Sequence, residues 1–113
     1  MHEMSIALGI IDLAMEYADR EGAEKVLELE LDIGTHSGVE IGALRSAMEI
    51  AVRDTLLEHS LLRVNEIRAV AECAECGTTF EVEDPVQRCP QCGARSTRIR
   101  RGKEMQLKSL LVE

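Results

Sequence analysis

Aromatic side chains are nearly missing from this chain of 113 residues, which has no tryptophan, one tyrosine (Tyr17) and one phenylalanine (Phe80). A core must therefore be assembled from Leu, Ile, Val, Met and Ala, which the 45% apolar content allows. Proteins that grip single-stranded nucleic acid ordinarily use aromatic stacking platforms, and Phe80 alone is a poor one. Basic residues are also few: 13 Lys and Arg stand against 21 Asp and Glu, a formal charge of −8. That balance argues against a chain-wide surface for nucleic acid or an anionic membrane. No apolar run is long enough to cross a bilayer, and charged and small residues interrupt the apolar positions near the start, so no secretory signal is expected. These absences describe a cytoplasmic chain without a membrane partner, one domain or one small domain carrying an insertion. Phosphate loops, dinucleotide fingerprints and nucleophile elbows are missing too, and with no catalytic constellation in view the chain is not expected to be an enzyme.

Cysteine is confined to one stretch. It reads Cys73-Ala-Glu-Cys76-Gly77, then, with twelve residues between Cys76 and Cys89, Cys89-Pro-Gln-Cys92-Gly93. Two such pairs can place four thiolates on one tetrahedral ion, the geometry of structural zinc with sulfur ligands at about 2.3 Å. A glycine after each second cysteine permits a tight turn with positive φ, so that amides can point at the sulfurs. Two disulfides are the competing reading, but a cytosolic chain keeps its thiols reduced. Nor does either pair open a helix in the strand-turn-helix pattern of a redox motif. From Arg88 to Lys103 the charge is of one sign, with six basic residues and no acid.

Along the chain, Met4, Leu8, Ile11 and Met15, flanked by Ala7, Ile10, Ala14 and Ala18, fall at helical spacing, with Gly22 as C-cap. Val26 to Ile33 alternates, Leu27, Leu29, Leu31 and Ile33 on one face and Glu28, Glu30 and Asp32 on the other, as a strand with one wet side does. After the loop Gly34-Thr35-His36-Ser37-Gly38, a second helix is expected to end near His59, its start marked by a capping box of Ser37 and Glu40. One bulged strand over Leu62 to Ala71 should run straight into Cys73, and Met105, Leu107 and Leu111 outline a last strand able to pair with it. The expected fold is α+β, two helices on one face of a three-stranded sheet, with an inserted zinc-ribbon-like domain built on the four cysteines. Residues 1–72 plus 103–113 form the body and 73–102 the insertion. Phe80, Val82, Val86 and Ile99 are too few to fold the insertion by burial alone, so metal should supply much of its stability.

With zinc assigned, the histidines and the chain start remain. In a chain beginning Met-His, the free amine of Met1, the amide nitrogen of His2 and its imidazole can chelate one divalent ion, and a carboxylate such as Glu3 can complete the shell. Nitrogen-rich tetragonal sites suit Ni(II) and Cu(II), and an amine of pKa about 7.7–8.0 makes binding pH-dependent near neutrality. A bulky second residue hinders removal of Met1. The plainer readings stand beside this one. His2 is an exposed residue before a helix, Glu3 favours the helix dipole, Glu40 caps the second helix, and His36 and His59 are loop and helix-end residues.

The motifs Met1-His2-Glu3-Met4-Ser5, Ile33-Gly34-Thr35-His36-Ser37-Gly38-Val39-Glu40, Cys73-x-x-Cys76-Gly77 and Cys89-Pro90-x-Cys92-Gly93 occur together and in order. With the closing Gly102-Lys103-Glu104-Met105-Gln106-Leu107, the chain closely resembles the HypA/HybF family of hydrogenase-maturation nickel metallochaperones. The resemblance implies that His2, with the Met1 amine and nearby amides, binds Ni(II), and that Glu3 and Glu40 lie at or near that site. It implies structural Zn(II) on Cys73, Cys76, Cys89 and Cys92, and a zinc site that senses nickel loading. The implied partners are a nickel-handling maturation GTPase and the large subunit of [NiFe] hydrogenase, with urease in some organisms. Two positions depart from the family. No histidine follows His59, so a Cys-only zinc site is expected, and His36 stands where relatives are usually apolar, a candidate additional ligand. The competing function is a zinc-ribbon adaptor for nucleic acid or protein, using the Arg88–Lys103 run. The sequence leaves the oligomeric state open, a homodimer included.

Overall fold

The computed structural model describes residues 2–83 and 87–113, so Met1 and Val86 lie outside the described residues. The chain folds as helix α1 (Glu3–Arg20), strand β1 (Val26–Gly34), helix α2 (Ile41–Ala51), then β2 (Leu61–Ile67), β3 (Val70–Cys73), β4 (Thr79–Glu81), β5 (Thr97–Arg101) and β6 (Met105–Val112). These strands form two three-stranded sheets, ordered β2-β1-β6 and β4-β3-β5.

In the first sheet, β1 is the middle strand, parallel to β2 and antiparallel to β6. Its inward Leu29, Leu31 and Ile33 meet Ala7, Ile10, Ile11, Ala14 and Ala18 of α1 and Leu44, Ala47 and Met48 of α2 in one core. Both helices thus cover one face of the sheet, as expected. The buried stripe of α1 is the alanine-rich one, which lets the helix sit close, while Met4 and Leu8 face outward and Met15 is half-buried. α1 ends as a Schellman turn: Ala23 N–H donates to Ala18 O and Gly22 N–H to Asp19 O, with Gly22 at φ 65°.

Four expectations are corrected. The register of β1 against β6 slips between Val26 and Glu28, so Val26 rather than Leu27 joins the core. The N-cap of α2 is Glu40, not Ser37; Ser37 Oγ instead accepts from the amide of Val39. α2 stops at Ala51, and turns fill the stretch to His59, with Asp54 at φ 62° and Leu57 buried into the core. Most consequentially, the single bulged strand is two strands in different sheets, with Arg68 and Ala69 between them. β2 and β6 flank β1 on opposite sides and do not pair.

The second sheet has a small core of Ala69, Ala71 and Val82 with Phe80 and Ile99 against it. The sheets meet where backbones nearly touch. A Cβ at Gly34 would lie 2.0 Å from Gly102 O, and one at Gly102 would lie 2.3 Å from Ala69 Cα. Around this crossing, Thr35 N–H donates to Ile67 O (2.9 Å), His36 N–H to Gly102 O (2.7 Å) and Ala69 N–H to Thr35 Oγ1 (3.0 Å). The loop after β1 therefore holds both segments that connect the sheets.

Candidate metal centres

β3 ends at Cys73, and a turn immediately after it carries Cys76. The second pair lies on a matching turn before β5, tied to the first by Ala74 N–H donating to Ser96 O at 2.7 Å. Each turn closes the same way. Gly77 N–H donates to Cys73 O and Gly93 N–H to Cys89 O, both at 2.9 Å, with the glycines at φ 77° and 75°. Amides also approach the sulfurs, Cys76 N at 3.5 Å from Cys73 Sγ and Gln91 N at 3.4 Å from Cys89 Sγ. Cys73 and Cys89 are buried, Cys76 and Cys92 exposed.

The four sulfurs lie within 4.8 Å of one another, with Cys73 Sγ to Cys92 Sγ at 3.6 Å and Cys76 Sγ to Cys89 Sγ at 3.7 Å. A tetrahedron with bonds of about 2.3 Å has edges of about 3.8 Å, so this donor set is close to the shape a four-coordinate ion requires. The sulfurs are electrostatically unequal. The hydroxyl and then the amide of Thr78 draw the Cys76 thiol down to about 6, with Thr78 Oγ1 at 3.2 Å. At Cys92 the Ala94 amide pulls down, but the hydrogen bond with Cys73 and desolvation outweigh it and push the thiol up to about 12. Thr78, two residues beyond Cys76, is not singled out by the Cys-x-x-Cys spacing; a hydroxyl that close to a thiol of the cluster is the signal that marks it.

The other candidate group lies where the two helices begin. His2 is the N-cap of α1 and is exposed, with no capping bond from its side chain. Its imidazole is therefore available to a ligand. Glu3 Oε2 accepts from the amide of Glu40 at 3.3 Å, which draws the start of α1 to the start of α2 across 37 residues of sequence. The Glu40 carboxylate folds back over Gly42, and its Oε2 accepts from the amide of Ala43. Glu40 thus caps α2 with one oxygen and holds Glu3 with its amide. Met1, the other predicted ligand, lies outside the described residues. His36 lies elsewhere: its Nδ1 is 3.1 Å from Thr35 Oγ1, and it lines a cleft of about 590 Å³ with Glu66, Arg68, Glu81 and Gln87. None of His2, Glu3 and Glu40 lines that cleft.

The family model described as hydrogenase/urease nickel incorporation, metallochaperone, hypA matches residues 1–112. The chain belongs to this HypA family. Relatives named hydrogenase maturation factor HypA include one from Parabacteroides distasonis, 40% identical across 100% of this chain and 98% of its own length. Another, from Prosthecochloris aestuarii, is 42% identical across the full length of both. The solution structure of the Ni metallochaperone HypA from Helicobacter pylori superposes with a TM-score of 0.69 at 27% identity, covering 99% of this chain and 97% of that one. A second HypA solution structure gives 0.74 at 26% identity, covering 100% and 97%. The function is that of a HypA nickel metallochaperone in hydrogenase maturation, with a metal-binding cysteine group. No helix among the described residues is long and apolar enough to cross a membrane.

Proposed function

We propose that this protein carries Ni(II) as cargo on the exposed face where α1 and α2 begin, bound by the Met1 amine, the backbone nitrogen and imidazole of His2, and the carboxylate of Glu3, with Glu40 beside them. What supports this reading is the bond from the Glu40 amide to Glu3, which draws the start of α2 to the start of α1, where the exposed N-cap is His2. An exposed site with few protein ligands suits transfer of an ion better than a closed cage. Zn(II) is the resident ion on Cys73, Cys76, Cys89 and Cys92, because tetrathiolate geometry suits it and a shared ion would stabilise a unit whose apolar core is small. The first sheet with its two helices acts as the nickel-bearing unit, and the second sheet, which begins at Val70 in β3 and continues through the expected 73–102 insertion, as the zinc-bearing one.

The protein is a cytoplasmic carrier and not an enzyme. It receives or passes nickel with a maturation GTPase and delivers it to the large subunit of [NiFe] hydrogenase, and self-association as a homodimer is compatible with this role. A nucleic-acid ribbon is disfavoured by Phe80, which packs into the small core of the second sheet instead of offering a stacking face. The test is a calorimetric Ni(II) titration of zinc-loaded protein with its native start, beside a form extended by two residues and a His2→Ala variant. One nickel on the native protein, lost in both altered forms with zinc retained, supports the site. Equal binding by all three, or by none, rejects it.

A further inference from the structure

Among the described residues the second sheet has an unpaired edge at β5, since its order is β4-β3-β5. β5 reads Thr97-Arg-Ile-Arg-Arg101. The strand is about 16 Å long at about 3.3 Å per residue, enough for a short extended segment, which would pair around two irregular points: Thr97 N–H already donates to Arg95 O, and the register against β3 shifts between Ile99 and Arg101. Such edges invite another strand unless something prevents it.

Along the edge strand itself the charged side chains are all basic. Arg95, Arg98, Arg100, Arg101 and Lys103 lie on or beside β5, and no acid interrupts them. Arg98 and Arg100 both reach Glu72 of β3, at 4.0 and 2.5 Å. That contact holds them over the sheet and draws the Glu72 carboxyl below its usual range, chiefly through the Arg100 bond. Arg95, Arg101 and Lys103 make no ion pair among the described residues, and both arginines are exposed. Residues 73–103 carry six basic against four acidic side chains, whereas the rest of the chain carries seven against seventeen. An acidic partner is thus repelled by the body and steered to this one edge. A second copy pairing through the same edge would set arginine against arginine, which like-charge repulsion disfavours. Single-stranded nucleic acid would need stacking platforms, and Phe80 and Ile99 are committed to the core of the sheet.

We propose that β5 is a docking edge for an acidic, extended peptide segment of a partner protein, which adds to the second sheet as a fourth strand. Backbone pairing supplies register, and carboxylates on the incoming strand meet Arg95, Arg101 and Lys103 at the ends of the row.

The test uses zinc-loaded full-length protein and fluorescence anisotropy with a labelled octapeptide alternating Glu with Thr and Val. Controls are the same peptide with alternate backbone nitrogens methylated, its Lys counterpart, and a labelled twelve-nucleotide oligo(dT). The proposal expects saturable binding of the acidic peptide, weakened at least tenfold by N-methylation and by the Arg95→Glu/Arg101→Glu variant, with no binding of the Lys peptide. Zinc content and far-UV circular dichroism establish that the variant is folded, and Arg101→Glu alone serves if the double variant is not. Indifference to N-methylation overturns the added strand. Equal or tighter binding of oligo(dT) makes the edge a phosphate surface. Absence of peptide binding leaves the arginines as guards against edge pairing and overturns the proposal.

Discussion

The crossing of Gly34 with Gly102 can be tested by one methyl group. In Gly34→Ala the new Cβ would sit 2.0 Å from Gly102 O and 2.6 Å from Lys103 N, both backbone atoms. Ordinary contact begins near 3.4 Å, so the segments must separate by more than an ångström. The bonds crossing there, Gly34 N–H to Glu104 O at 2.7 Å, Thr35 N–H to Ile67 O at 2.9 Å and His36 N–H to Gly102 O at 2.7 Å, would be broken or stretched together. At about 1 kcal/mol net for each bond, with more where a donor is left unpaired, the loss is about 3–5 kcal/mol. A domain of this size is stable by about 5–15 kcal/mol, so the variant should unfold at much lower urea. The control is Gly9→Ala in α1, where nothing lies within 4 Å of the added Cβ. It should gain about 0.5–1 kcal/mol from helix propensity alone. Urea unfolding followed by circular dichroism, with zinc content checked, measures both. A Gly34→Ala midpoint matching wild type would show that the backbones are not locked as described.

Further outcomes follow from the capping, polar and metal features. Glu40→Ala should cost about 1 kcal/mol through loss of the cap on Ala43, whereas Glu40→Gln, which keeps an acceptor oxygen, should stay near wild type in urea. If both lose equally, the carboxylate's charge matters more than its cap. Glu30 accepts from Asn65 and Ser109, in that order of effect, and its carboxyl lies below the usual range. Its folded-state affinity for protons is thus depressed, so its contribution to stability is present above the usual carboxylate pKa and fades as pH falls through the lowered value. NMR titration should show the Glu30 midpoint moving up in Asn65→Ala; an unmoved midpoint would remove Asn65 as the cause. Stripping the cysteine-bound metal with a chelator should abolish hydrogen-exchange protection in β3, β4 and β5 while β1 and α1 keep theirs, because the second sheet has only its small apolar core. Simultaneous loss across both sheets would contradict that division of stability.

Some elements are plain in the residues and others cannot be. The alternation of Leu29, Leu31 and Ile33 with Glu28, Glu30 and Asp32 reveals β1 because one face meets the helices and the other meets Arg63, Asn65 and Ser109. The four cysteines reveal their cluster because ligand spacing is a local constraint. Leu62 to Ala71 reads as one strand because its apolar alternation continues through Arg68, and only the tertiary crossing at Ala69 separates the two sheets. Ser37 and Glu40 satisfy the capping-box pattern, yet Glu40 is itself the cap. The same three-residue offset connects Glu40 to Ala43, so the pattern fits either frame. The approach of Glu3 to Glu40 is invisible to local spacing, since 37 residues separate them, and only the family resemblance anticipates it.

The position of β6 has a bearing on how the chain comes off the ribosome. β1 is the middle of its sheet, and the strand that completes its second side, Met105–Val112, follows all the other described elements in the chain. Through synthesis of residues 35 to 104 one flank of β1 is open, and at about 5–20 residues per second that interval lasts several seconds. All four cysteines emerge before the closing strand does. The thiol cluster can therefore take up its ion while the body is still unfinished.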